Sequence, residues 1–131
     1  ISRIMHPLLL VTGDLSFLHD INGLLIENSE KLNLTILLID NNGGNIFKRL
    51  YKNYLKDEEI KRLFVMPKNV DFKKLAEANK VIFKDVTNLN ELKELLEWSH
   101  LLSRIVILRV IINHLSEIDE RKNLLNKIYK D

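Results

Sequence analysis

Gly13-Asp14-Leu15-Ser16 closes the apolar run Pro7-Leu8-Leu9-Leu10-Val11, and Asn41-Asn42-Gly43-Gly44 closes a second run, Leu34-Thr35-Ile36-Leu37-Leu38-Ile39. Short unbroken apolar runs are the pattern of strands covered on both faces in a parallel sheet. Between them Phe17, Ile21, Leu24 and Leu25 recur at helical spacing, from a start near Ser16. The unit reads strand, helix, strand, and a right-handed crossover returns the second strand parallel to the first. Asp14 and Asn41 are thereby placed at one carboxyl edge of a sheet, where open α/β sheets bind their ligands. The start of the intervening helix turns its free N–H groups and positive dipole end to the same edge, so an anion is expected there.

The residue types suit a hard cation bridging that anion. Magnesium takes oxygen ligands in near-octahedral array, one or two from side chains and the rest from phosphates and water. Asp14 offers a carboxylate and Asn41 an amide oxygen. The main-chain carbonyl of Gly43 is a third candidate, because glycine permits the positive φ and close approach such a loop needs. Each residue also has a plainer reading. Asp14 complements a helix dipole, Asn41-Asn42 ends a strand in a turn, and Ser16 is an N-cap hydroxyl as readily as an anion contact. Leu15 would act through its backbone, and Asn42 would shape the loop.

Gly13-Asp14, one helix and one strand, then Asn41-Asn42 is similar to the cofactor-binding signature of the thiamine-diphosphate enzymes. Three segments narrow the resemblance: Asp14-Leu15-Ser16-Phe17-Leu18-His19-Asp20-Ile21-Asn22-Gly23-Leu24, then Asn41-Asn42-Gly43-Gly44-Asn45-Ile46-Phe47, then Leu63-Phe64-Val65-Met66-Pro67-Lys68-Asn69-Val70-Asp71-Phe72. Together they resemble the C-terminal domain of the 2-succinyl-5-enolpyruvyl-6-hydroxy-3-cyclohexene-1-carboxylate synthase family of menaquinone and phylloquinone biosynthesis, densely from about Pro7 to Ala78. The resemblance implies thiamine diphosphate with magnesium, or manganese in its place. It implies Asp14, Asn41 and Gly43 as metal ligands, and Leu15, Ser16, Gly44, Ile46 and Phe47 as further cofactor-binding residues, the last two forming an apolar wall beside the thiazolium ring. It implies an enzyme that decarboxylates 2-oxoglutarate and adds the product to isochorismate, built as a homodimer or homotetramer with active sites between subunits. A cytoplasmic or plastid-stromal location goes with it. Asn45 and Asp40 depart from the residues usual in the family, and Asp40 adds a negative charge beside the metal loop. Alternation along the strand turns it away from an ion faced by Asn41.

A chain of 131 residues is one domain with room for a core. It opens without methionine and lacks an earlier glycine-rich segment of the family, so it is expected to be an N-terminally truncated piece. The family's activating glutamate is not in it; no catalytic residue is assigned, and the chain alone is expected to be inactive. The net charge of +2, with acids and bases interspersed, gives no concentrated basic face for nucleic acid. The absence of cysteine excludes disulfides and thiolate chemistry within this chain. The longest apolar run, Ile105 to Ile112, is interrupted by Arg109 and falls short of the roughly 18–20 residues that span a bilayer.

Residues 48–63 read as a charged surface excursion with one or two short helices. Asp71 caps a helix carrying Phe72, Leu75 and Ala76, and Lys80 to Val86 follows as a strand. Asn88 and Glu91 form a capping-box pattern ahead of the stripe Leu89, Leu92, Leu96, with Trp98 closing the helix. Arg104 to Ile112 is the last strand, and Ser116 opens a C-terminal helix with Leu124, Leu125 and Ile128 inward. The alternation predicts an α/β fold, a three-layer sandwich on a mainly parallel sheet, which by resemblance is the diphosphate-binding domain of thiamine-diphosphate enzymes. The four histidines have no metal-ligand spacing, and Lys48 and Arg49 read as solvated charge. Arg109 is expected to reach a domain interface. Two other readings stand beside the synthase: an acetolactate-synthase-like thiamine enzyme, which shares the metal motif but not the Met-Pro segment, and a non-catalytic α/β binding or assembly module.

Overall fold

The computed structural model describes residues 6–28, 32–43, 54–63 and 70–112. Four strands, β1 (Leu8–Gly13), β2 (Leu34–Asp40), β3 (Ile82–Val86) and β4 (Ile105–Ile111), form one sheet in the order β1-β2-β4-β3. Every pairing is parallel, with Leu8 opposite Leu34, Leu34 opposite Ile105 and Ile82 opposite Val106. All four carboxyl ends therefore lie along one edge, as the crossover argument requires. The helices are α1 (Asp14–His19), α2 (Asp57–Leu63), α3 (Phe72–Ala78) and α4 (Leu89–His100).

Alternation sorts the sheet into two faces. Ile36 and Leu38 of β2 and Ile105 and Ile107 of β4 share a core cluster with Phe17 of α1, Leu24, and Phe72 and Ala76 of α3. The Phe17 and Phe72 rings meet at 5.8 Å in a tilted pair. On the opposite face α4 lies against β2, β3 and β4, where its buried Ser99 hydroxyl is 2.7 Å from the Thr35 hydroxyl. Helices on both faces of a parallel sheet make the three-layer α/β sandwich expected from the sequence.

Local chemistry explains the boundaries. The first helix does not run through to Leu25 as its apolar spacing predicts; it stops at His19 and continues as a 3-10 segment, Ile21–Asn28. Asn22 and Gly23 are poor helix formers, and Gly23 N–H donates to the Asp20 carbonyl at 2.8 Å. β3 starts at Ile82 rather than Lys80, because Lys80 takes φ 59° to end α3, with Lys80 N–H donating to Glu77 O and Val81 N–H to Ala76 O. The caps Asp71 and Asn88 accept the N–H groups of Lys74 and Glu91. Glu91 returns to the N–H and hydroxyl of Thr87, one residue before the cap, rather than to Asn88.

Two burial expectations are corrected. Leu89 is exposed, because it occupies the first helical position and precedes the turn that meets the sheet; Leu92 and Leu96 are half-buried. β1 is not covered on both faces: Leu8 and Val11 are 58% exposed and Leu9 and Leu10 48%. It has β2 as its only pairing partner among the described residues, whereas the central β4 buries Ile105 to Leu108 completely or nearly so. The 48–63 excursion holds the short helix α2, whose Ile60 is fully buried. The expected helix from Ser116 lies outside the described residues.

Candidate functional site

Asp14 begins α1 where β1 ends, and Asn41 follows the last residue of β2, so parallel pairing alone brings the two segments together. The Asp14 side chain is 4% exposed. Its Oδ1 accepts the Leu15 N–H at 2.7 Å, and its Oδ2 accepts the Gly43 N–H at 2.9 Å across 29 residues of sequence. A buried carboxylate requires such donors, since leaving it unsolvated and unbonded costs several kcal/mol, roughly the penalty of an uncompensated charge. The loop that delivers Gly43 turns sharply, with Asn42 at φ 59° and Gly43 at φ 118°. Asparagine and glycine are the residues that tolerate those values. The side-chain oxygen of Asn41 is buried beside this turn. Gly13 has an ordinary extended φ of −81°, and a Cβ built on it would meet nothing within 4 Å.

A second set of charges braces the loop from the other side. Arg109, opposite Leu38 in β2 and Asp85 in β3, donates from Nε to Asp85 Oδ1 at 2.6 Å and places Nη1 3.5 Å from Asp40 Oδ2. Its guanidinium carbon lies 5.4 Å from the centre of the Phe83 ring. The hydrogen bond to Asp85 raises the guanidinium further above its ordinary range, with burial opposing and the Asp85 and Asp40 charges adding. Asp40 Oδ1 accepts the Asn42 N–H at 3.1 Å, and its main-chain carbonyl accepts the Ile112 N–H at 2.9 Å.

Of the residues named from sequence, Asp14, Leu15, Asn41 and Gly43 are brought together at the carboxyl edge. Ser16 is not the N-cap: the helix begins two residues earlier, Gly13 is its cap, and Ser16 is exposed within the first turn. Gly44, Ile46 and Phe47 lie outside the described residues. Asp40 shares the sheet face of Ile36 and Leu38 and is turned to Arg109, as alternation predicts. Within this chain Arg109 is paired with the two carboxylates that flank it on neighbouring strands. The brace was legible only as an arginine and an aspartate, Asp85, each near the end of an apolar strand; pairing them needed the register.

A family model described as thiamine pyrophosphate enzyme, C-terminal TPP binding domain, matches residues 3–110. The chain is 60% identical over 128 residues to a 2-succinyl-5-enolpyruvyl-6-hydroxy-3-cyclohexene-1-carboxylate synthase of Prochlorococcus marinus (strain MIT 9312), covering 98% of this chain and 22% of that protein. It is 37% identical over 130 residues to the synthase of the same name from strain NATL2A, covering 99% of this chain and 22% of that protein. The chain thus spans about a fifth of the length of these curated relatives. Among solved structures, benzoylformate decarboxylase from Polynucleobacter necessarius superposes with a TM-score of 0.67 at 19% identity, over 82% of this chain and 20% of that one. A thiamine diphosphate-dependent 4-hydroxybenzoylformate decarboxylase of Rhodococcus jostii RHA1 gives 0.67 at 17%, over the same shares. At such identities the likeness concerns the fold.

Proposed function

Because the chain belongs to the family of C-terminal TPP binding domains of thiamine pyrophosphate enzymes, we propose that it holds the diphosphate of thiamine diphosphate, through magnesium or manganese, within a 2-succinyl-5-enolpyruvyl-6-hydroxy-3-cyclohexene-1-carboxylate synthase. The observation that carries this reading is the 2.9 Å hydrogen bond between Gly43 N–H and the buried Asp14 carboxylate, which joins the two halves of the motif at the ligand-binding edge. The donor set fits the group. Asp14 supplies the charge, Asn41 a buried amide oxygen, and the Gly43 turn a main-chain carbonyl, all hard oxygens of the kind magnesium takes. Among the described residues no three imidazole or carboxylate side chains converge; the mixed set therefore relies on the diphosphate to complete the shell. Leu15 and Ser16, at the start of α1, and Gly44 are the proposed backbone and hydroxyl contacts to the anion, with Ile46 and Phe47 as the apolar wall.

When bound, thiamine diphosphate would supply a nucleophilic thiazolium carbon and a cationic ring able to take up the electron pair left by a departing carboxylate. This chain's part is to bind and orient. The relatives' name describes a succinyl group carried on an enolpyruvyl cyclohexene carboxylate, which is what 2-oxoglutarate yields on losing carbon dioxide and joining isochorismate. The whole enzyme is proposed to be a homodimer or homotetramer, cytoplasmic or plastid-stromal; no helix among the described residues is long and apolar enough to cross a membrane. The test is carbon dioxide release by the purified full-length protein, with thiamine diphosphate and magnesium each omitted in turn. Release from 2-oxoglutarate, coupled to loss of isochorismate and abolished by either omission, is expected. Release from pyruvate instead would make the protein an acetolactate-synthase-like enzyme, and binding of neither cofactor nor substrate would make it an assembly module.

A further inference from the structure

Arg109 is given no ligand contact in the reading above, yet it is linked to the Gly43 turn through Asp40. Its guanidinium is oriented by Asp85 (2.6 Å) and by the Phe83 ring, and it reaches Asp40 (3.5 Å). Asp40 in turn holds the N–H of Asn42 (3.1 Å), the residue whose positive φ turns the chain so that Gly43 meets Asp14. Both ends of the Arg109–Asp40 pair are largely shielded, at 21% and 13% side-chain exposure, so its attraction is not screened away as at an open surface.

We propose that Arg109 is a positioning residue for the cofactor loop: acting through Asp40, it fixes the Asn41-Asn42-Gly43 turn and neutralises a carboxylate standing next to the place where a dication and a diphosphate are bound. This rests on the reading of the site given above. Without the guanidinium, Asp40 keeps a negative charge one residue from Asn41. That charge opposes an anion bound at the same edge, and the carboxylate that accepts the Asn42 N–H loses one of the contacts that fix it. A planar, forked cation satisfies two carboxylates on different strands at once, which lysine does not. Asp85 plays a different part, since it orients the guanidinium from the half-exposed side.

The experiment is a double-mutant cycle on the full-length protein, reading thiamine diphosphate affinity at limiting and at saturating magnesium beside thermal unfolding of the apo form. Arg109→Gln is expected to weaken cofactor binding at limiting magnesium about tenfold, an effect lying between those of an exposed and a fully buried ion pair. Turnover at saturating cofactor should change by less than about twofold, since the proposed effect is on the loop that binds the cofactor. Asp40→Asn keeps an acceptor for Asn42 and removes the charge, so the Asp40→Asn/Arg109→Gln pair should return affinity to within about threefold of wild type. Asp85→Asn keeps an acceptor for the arginine Nε, so it should lower the unfolding temperature while changing affinity much less than Arg109→Gln does. If Arg109→Gln does not fold, Arg109→Lys, which keeps the charge but not the fork, should still lose affinity. Affinity that is unchanged in the arginine variants, or that is not restored in the double variant, overturns the proposal. Asp14→Asn, run alongside, separates the two levels: its loss of affinity with none in the arginine variants refutes the brace alone, while no loss in Asp14→Asn refutes the site and the brace together.

Discussion

Asp14→Asn is the sharpest single perturbation, because the structure gives the carboxylate two definable tasks. Both of its oxygens accept main-chain N–H groups, from Leu15 at 2.7 Å and from Gly43 at 2.9 Å. An asparagine has one acceptor oxygen and one amide nitrogen, so whichever way it is turned, one N–H donor faces another donor in a buried setting. Losing a hydrogen bond to a charged group costs about 1.5–3 kcal/mol, and losing the negative charge at the first position of α1 adds about 0.3–1 kcal/mol. The apo protein should therefore lose about 2–4 kcal/mol, more than a helix-dipole role alone would cost. Denaturant unfolding of the full-length apo protein measures that, and hydrogen exchange at Gly43 locates it. Cofactor binding should suffer separately, since an amide replaces the only charged side-chain ligand proposed for the dication. Thermal shift against thiamine diphosphate at several magnesium concentrations reads that second loss, through the dependence of stability on ligand concentration. An unfolding free energy equal to wild type would mean that the Gly43 bond is not made. A destabilised variant with wild-type cofactor affinity at limiting magnesium would reduce Asp14 to a clasp between two loops.

Other substitutions test other parts of the same frame. Ser99 Oγ donates to the Leu96 carbonyl at 2.9 Å, so the 2.7 Å contact between hydroxyls must be donated by Thr35; Ser99→Ala strands a fully buried donor and should cost about 1–3 kcal/mol, whereas Thr35→Val should cost about 1 kcal/mol. Denaturant midpoints for the two variants give the order, and the reverse order would assign the proton wrongly. Asn42→Ala should destabilise by about 1–2 kcal/mol at its positive φ and Asn42→Gly much less, again by unfolding midpoint. Glu91 is lowered from its ordinary 4.5, first by the Thr87 hydroxyl and then by its N–H. Its contribution to stability is accordingly complete above 4.5 and lost as pH falls through the lower folded value. Glu91→Gln should flatten that part of the acid limb in a series of melting temperatures against pH.

The sheet and the edge that carries the candidate site were legible because they depend on local signals: apolar runs, a helical period between them, and turn residues where each run stops. Parallel pairing then follows from chirality rather than from any particular residue. Chain-distant chemistry was not legible. Arg109 looks like an interruption in an apolar strand until the register sets it opposite Asp85, and Leu8 to Val11 look like an interior strand until the strand order leaves them, among the described residues, with one neighbour. Ser16 looked like a cap because serine favours that position; Asp14 instead starts the helix, with its carboxylate turned to the Gly43 turn.

The strand order also sets a sequence of events. β2, which ends in the loop, pairs with β4, and the Thr35–Ser99 contact spans 64 residues. Closing contacts of that separation is slow compared with forming a helix or a local turn. Because β4 inserts between β2 and β3, the Asp40 carbonyl has no Ile112 to bind, and its carboxylate no Arg109, until the last of these strands has been made and docked. During synthesis Asp14 and Gly43, only 29 residues apart, emerge before β4, so the support behind their loop follows them. Competence to hold a ligand at this edge is thus a late event in folding, reached when β4 closes the centre of the sheet.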